Sequence, residues 1–291
     1  MNKRTLQSLL TGKYRKVMIV GDIDTGKTYL ARKLAARLSD RGLRVGIMDC
    51  DPGPSTIGPP GTVSLQLPWG EAGRNLMFPT AMIFVGILSP AKDVASMIEA
   101  SLRLNDLAQE RGCDVLIIDT SGMVQGSHAA LLKRGKIREI RPDLIVSLDR
   151  EGETRHIFNS LESSAYGELA FIKPAKEARE RSRGERASYR RDYFLEYFGG
   201  SEELELKLGE VGLVPASSWI PAETAYLRGG HVLGLNDARD LTLALAILWE
   251  LEGETMQVMT PYYGNTAAIK SVAVSPYLLD EDGNTTLIKP I

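Results

Sequence analysis

Lys16-Val17-Met18-Ile19-Val20-Gly21-Asp22-Ile23-Asp24-Thr25-Gly26-Lys27-Thr28 decides the fold. Its first five residues read as a short buried strand. Thr28 to Arg41 reads as a helix, with Leu30, Leu34 and Leu38 at four-residue spacing. Between them, Gly21 to Thr28 fits the phosphate-binding pattern G-x-x-x-x-G-K-[ST] at every fixed position. The glycines let backbone N–H groups curl round a phosphate chain, and the positive end of the helix dipole points at the same place. Lys27 is then in reach of the β- and γ-phosphates, and Thr28 offers its hydroxyl to Mg²⁺. The candidate nucleotide-binding residues are Gly21, Asp22, Ile23, Asp24, Thr25, Gly26, Lys27, Thr28 and the adjoining Tyr29.

Working outward, strands and helices alternate. Arg44 to Asp49, Ala81 to Gly86, Asp114 to Asp119, Asp143 to Leu148 and Glu168 to Ile172 read as strands. Ala91 to Arg111, Ser127 to Ile140 and Glu153 to Ser164 read as helices. Pro52 to Trp69 is too rich in Pro and Gly for a helix, and Thr62 to Leu65 within it reads as a short edge strand. Met1 to Gly12 is expected to form a short helix or arm. This order predicts an α/β fold, a mostly parallel sheet with helices on both faces. Ligands of such sheets sit at the carboxyl ends of the strands. The phosphate loop, Asp49, Asp51, Asp119, Thr120 and Asp149 should therefore gather on one rim. After Gly200 the composition changes, with turn signals at 235–237, 252–254 and 282–284, which predicts a small β-rich module. The expected division is a phosphate-loop domain over 1–200 and this module over 201–291.

The chain has 291 residues, 43% of them hydrophobic, enough for one large domain or two small ones. A net charge of −2 gives no global basic field for nucleic acid, so any such site is local. Cys50 and Cys113 lack CxxC partners and read as reduced core residues, which argues against zinc. Met1 to Arg15 lacks the apolar run of a secretory signal, and no run reaches membrane-spanning length. A soluble cytoplasmic protein with no membrane partner is expected.

Three further elements carry chemistry. Asp49-Cys50-Asp51 closes the second strand, where a carboxylate holds Mg²⁺ or orients a nucleophile. Asp119 follows four apolar residues, as a metal-binding carboxylate at a strand end does, and Thr120 is placed to bond a γ-phosphate or its water. Thr28, Asp49 and Asp119 are thus the candidate Mg²⁺ ligands. Lys173 to Arg191 carries eight basic residues against three acids, a local balance of +5, and then runs into Tyr193, Phe194, Tyr197 and Phe198. It reads as a long helix with a basic first half and an aromatic second half that packs it down, whose arginines form a mobile lid over about 173–198. Closure of such a lid stabilises developing charge and excludes water.

With these pieces in order, the chain resembles the polynucleotide 5′-hydroxyl kinases of RNA processing. Gly21 to Thr28 is similar to that family's G-x-x-D-x-G-K-[ST], with Asp24 in place. Asp49 to Pro54, followed by Pro59-Pro60-Gly61-Thr62-Val63-Ser64-Leu65, resembles its D-x-D-x-G-Q and P-P-G motifs. Thr120-Ser121-Gly122-Met123 resembles T-x-G-W, and Arg181 to Phe198 resembles the lid R-S-x-x-x-R-x-x-Y-R-x-x-x-F-x-x-Y-F. Val232 to Asp237 resembles the family's tail domain. The resemblance implies a P-loop NTPase fold and ATP-dependent transfer to the 5′-hydroxyl of a polynucleotide, RNA ahead of DNA, with GTP as the alternative donor. By the resemblance Asp51 is the base, Lys27, Thr28 and Thr120 hold phosphates and Mg²⁺, and Arg186 and Arg190 are the lid arginines. RNA-processing proteins are the expected protein partners. Pro54 and Met123 stand where the family has Gln and Trp, which puts the acceptor in question. The phosphate loop at Gly21 implies a short, prokaryote-like form without the N-terminal β-domain of eukaryotic members. The rival readings are a nucleotide-dependent assembly subunit without transfer, and a kinase for a small hydroxyl acceptor.

Overall fold

The computed structural model describes residues 13–70, 75–174, 182–218 and 223–288. The arm expected at 1–12, and Lys176, Arg179 and Arg181 of the basic segment, lie outside the described residues. The first sheet runs β4-β3-β2-β5-β1-β6-β7. Its strands are β1 (Lys16–Gly21), β2 (Val45–Cys50), β3 (Thr62–Gln66), β4 (Ala81–Phe84), β5 (Val115–Thr120), β6 (Leu144–Leu148) and β7 (Glu168–Ile172). The run from β2 to β7 is parallel, and β3 and β4 add on antiparallel.

Alternation along β1 splits the core. Val17 and Ile19 pack with Leu34, Ala35 and Leu38 of α1 (Lys27–Ser39) on one face. Met18 and Val20 pack on the other face with Met97 and Leu104 of α2 (Val94–Glu110) and Leu132 and Ile137 of α3 (Gly126–Ile140). The central strands β1, β2, β5 and β6 are buried on both faces, which is why they read as apolar runs, whereas the edge strand β7 is partly exposed.

Two expectations are corrected. Thr62–Gln66 is internal, not an edge: it lies between β2 and β4, and all five residues are buried. The helix expected over Glu153–Ser164 shrinks to one turn, α4 (Arg155–Phe158). Asp149 accepts from the amides of Gly152 and Thr154, and Glu153 from those of Arg150 and Glu151. These short-range side-chain bonds hold a turn in place of the first helical turn.

The second sheet is antiparallel apart from one parallel pairing, β9 with β13. It comprises β8 (Glu202–Lys207), β9 (Gly212–Pro215), β10 (His231–Asn236), β11 (Thr242–Glu252), β12 (Thr255–Thr260), β13 (Ser271–Leu279) and β14 (Thr285–Leu287). It covers β4, the outer strand of the first sheet: the Phe84 amide donates to Thr242 Oγ1 at 2.8 Å. Helix α5 (Arg183–Phe198) sits beside this seam. Its Tyr193, Phe194 and Tyr197 are buried with Phe84, Val232, Leu245 and Ala273. The Leu245 amide donates to the Tyr197 hydroxyl at 3.0 Å. Ser182 and Glu185 form a reciprocal capping box that starts the helix.

Candidate active site

The carboxyl ends of β1, β5 and β2 lie side by side because the chain crosses in the order β2-β5-β1. Asp119 is level with Ile19 on one side and Asp49 on the other. The loop after β1 turns at Gly26, whose φ of +85° is a left-handed conformation that glycine adopts freely. Asp24 also has a positive φ, of 56°, in the region that Asp tolerates better than most residues. Thr25 Oγ1 donates to the Asp22 carbonyl at 2.8 Å, and Lys27 Nζ to the same carbonyl at 2.6 Å. Burial lowers the Lys27 ammonium, against the pull of Asp119, Asp51, Asp22 and Asp24.

Thr28 Oγ1 donates to Asp119 Oδ2 at 2.6 Å. Asp119 Oδ1 is buried and has no hydrogen-bond partner among the described residues. Burial raises the Asp119 carboxyl, while the Thr28 hydroxyl and the Lys27 charge act to lower it. An orphaned carboxylate oxygen beside a threonine hydroxyl fits Mg²⁺, which binds through one or two carboxylates plus substrate phosphates. Asp49 is differently placed. Its Oδ1 accepts from the Asp51 amide at 3.0 Å, and its Oδ2 from the Thr56 amide, the Thr56 hydroxyl and the Ile57 amide at 2.8, 3.0 and 3.2 Å. Burial, and then the charge of Asp119, push its carboxyl up to about 7 against the pull of the Thr56 and Asp51 amides. Its donors are those of a buttress for the 51–57 loop. Thr120 also faces inward, its hydroxyl donating to the Ile19 carbonyl at 2.8 Å.

Above this rim lies an open cavity of about 860 Å³. Of the residues expected on the rim, Gly21, Thr25 and Asp149 do not line it; the Asp149 carboxylate instead holds the 150–154 turn. Asp51 is half-buried on its wall, with one oxygen accepting from the Gly53 amide at 3.1 Å. Helix α5 supplies the facing wall through Arg186, Tyr189 and Arg190. Arg186 pairs with Asp24 at 3.6 Å, and Tyr189 donates to the Ser55 carbonyl at 3.2 Å. Arg190 Nε is buried without a partner among the described residues, and burial lowers its guanidinium against the pull of Tyr277 and then Asp51. Pro54, Leu88, Pro90, Met123 and Val124 add apolar lining.

The family model described as "mRNA cleavage and polyadenylation factor CLP1 P-loop" matches residues 21–200. The chain belongs to this family. Within it, the chain is 37% identical over 196 residues to a polyribonucleotide 5′-hydroxyl-kinase of Pyrococcus horikoshii, covering 67% of this chain and 53% of that one. It is 35% identical over 199 residues to a polyribonucleotide 5′-hydroxyl-kinase of Methanocaldococcus jannaschii, covering 67% and 54%. The chain thus spans about half the length of the curated relatives it matches. A solved structure of a wild-type Clp1p–Pcf11p complex superposes with a TM-score of 0.71 at 16% identity, covering 94% of this chain and 77% of that one. That likeness extends across both sheets and establishes the P-loop fold with its β-rich C-terminal sheet.

Several site residues gave no clear signal in the sequence. Arg32 lines the cavity one turn beyond Thr28 and donates to the Thr56 carbonyl at 3.2 Å, and Arg150 donates to the Asp24 carbonyl at 3.3 Å. Both become site residues only once the loops are folded. Lys133 and Lys136 are buried beneath the rim. Their signal was available: they fall on the apolar stripe of α3 with Ala129, Leu132, Ile137 and Ile140. Among the described residues no helix is long and apolar enough to cross a membrane.

Proposed function

We propose that the chain is an ATP-dependent polynucleotide 5′-hydroxyl kinase, with RNA favoured over DNA as acceptor. The observation that carries this reading is Asp51. It is the strand-end carboxylate that lines the cavity without the four-donor cage of Asp49, in a cavity also lined by Lys27 and Arg190. The name that the archaeal relatives carry supports the same acceptor class.

In this mechanism Asp51 accepts the proton of the attacking 5′-hydroxyl, which a positioned base is able to do when within hydrogen-bond reach. The loop amides and Lys27 hold the β- and γ-phosphates. Thr28 and Asp119 would hold Mg²⁺, which would supply neutralising charge to the same phosphates. Arg186 and Arg190 stabilise the charge that develops on the transferring group. Asp49 shapes the loop that carries Asp51, and Thr120 ties β5 to β1. We assign the kinase machinery, with its lid, to 1–200, and to 201–291 the role of a support for α5. A protein partner from RNA processing is the matching proposal, since the solved Clp1p structure is a complex with Pcf11p.

The test is incubation with γ-labelled ATP, Mg²⁺ and three acceptors: a 5′-hydroxyl RNA oligonucleotide, its DNA counterpart and a free nucleoside. Label on the RNA 5′ end, at a higher rate than on DNA, is expected, with ATP preferred over GTP. ATP binding without transfer to any acceptor would instead make the chain an assembly subunit. Label on the nucleoside alone would make it a small-molecule kinase.

A further inference from the structure

The inward stripe of α3 contains two lysines, Lys133 and Lys136, which are 0% and 1% exposed. Burying an ammonium is costly, and two lysines one helical turn apart add mutual repulsion. Burial, and next the charge of Lys136, lower the Lys133 ammonium well below its ordinary range. Lys136 Nζ has no hydrogen-bond partner among the described residues. An apolar side chain of similar length would fill the same space without these costs, so stability does not account for the pair.

Lys133 does hold something specific. Its Nζ donates to the Ser121 carbonyl at 2.5 Å and lies 3.3 Å from the Ser121 hydroxyl. The next residue, Gly122, is pressed onto the phosphate loop: a Cβ there would stand 2.7–2.9 Å from Ile23 atoms, closer than side chains tolerate. Met123 then lines the cavity. The 120–123 wall is therefore tied down at two successive residues, Thr120 to Ile19 and Ser121 to Lys133. From the same place the Lys133 charge acts on Asp119 and Asp51.

We propose that Lys133 is a positioning residue: it fixes Ser121, and so the Gly122–Met123 wall, against the phosphate loop, and thereby sets where the acceptor hydroxyl lies relative to Asp51. The kinetic half of this proposal rests on the kinase reading above; the structural half does not.

Lys133→Met is the variant to test, with thermal unfolding, hydrogen exchange and label-transfer kinetics measured together. The expected result is a Tm unchanged or raised and faster amide exchange at 121–123. With it go a kcat reduced about 10- to 100-fold, as misplacement of a reacting group produces, and a raised acceptor KM. The KM for ATP should stay within about twofold, because the phosphate loop keeps its own bonds. A lowered Tm with wild-type kcat and acceptor KM would make Lys133 a structural residue and overturn the proposal, as would unchanged exchange at 121–123. If the Met variant does not fold, Lys133→Gln serves, and wild-type exchange and kinetics in it would likewise overturn the proposal. Should the wild-type protein transfer no label, the kinase reading falls, and the exchange measurement alone still decides whether Lys133 holds the wall.

Discussion

The two halves of α5 have opposite environments. Arg186, Tyr189 and Arg190 in the first half line the cavity, and Arg190 keeps an unpartnered Nε within it. Phe194 and Tyr197 in the second half are 2% and 1% exposed, sealed against the C-terminal sheet. The helix is thus apolar at the end packed on the second sheet and charged at the end that lines the cavity. A guanidinium aimed at a transferring phosphate needs a rigid support to cost little reorganisation at the moment of reaction. In the proposed mechanism the second sheet is that support.

If this contrast is right, variants at the two ends fail in different ways. The largest effect on folding belongs to Phe194→Ala, which should cost about 3–5 kcal/mol in urea unfolding, through lost burial and the cavity left behind. Transfer per folded molecule should fall much less. Next, Arg190→Ala should slow single-turnover transfer at saturating ATP by about 10²–10³-fold, with the unfolding midpoint unmoved, as expected for a donor that acts on developing charge. A shifted midpoint with an intact rate would reverse the contrast. Smaller still, Tyr197→Phe should cost about 1 kcal/mol by removing the acceptor of the Leu245 amide. The smallest effect sharpens the picture most: adding ATP should slow amide exchange at 183–190 more than at 193–198. Equal protection along the helix would mean that α5 moves as one body.

Much of this was legible in the sequence because its signals are local. The phosphate loop is set by Gly26 and Lys27 within a strand–loop–helix of adjacent residues, and the buried strands announce themselves as apolar runs. The basic-then-aromatic order of α5 likewise predicted which half would be packed down. What stayed hidden depends on contacts distant in sequence. Nothing near Thr62–Gln66 says that β4 will flank it and that the second sheet will cover β4 in turn. Asp49 and Asp51 look equivalent until the 51–57 loop folds back and surrounds only one of them. Lys133 and Lys136 were visible on the apolar stripe of α3, yet a lysine on a helix is ordinarily solvated. Only the packing of α2, α3 and β5 reveals that these two are not.

The division of labour between the two aspartates is the centre of the account, and one measurement reaches it directly. Single-turnover transfer of label from γ-labelled ATP to a 5′-hydroxyl RNA oligonucleotide should be compared for wild type and Asp51→Asn, with ATP affinity measured in parallel. The expected result is a rate loss of about 10²–10⁴-fold, the usual worth of a positioned base, with ATP affinity changed less than about threefold. A wild-type rate in Asp51→Asn would contradict the account and place the base elsewhere, with Asp24 the next carboxylate on the cavity wall.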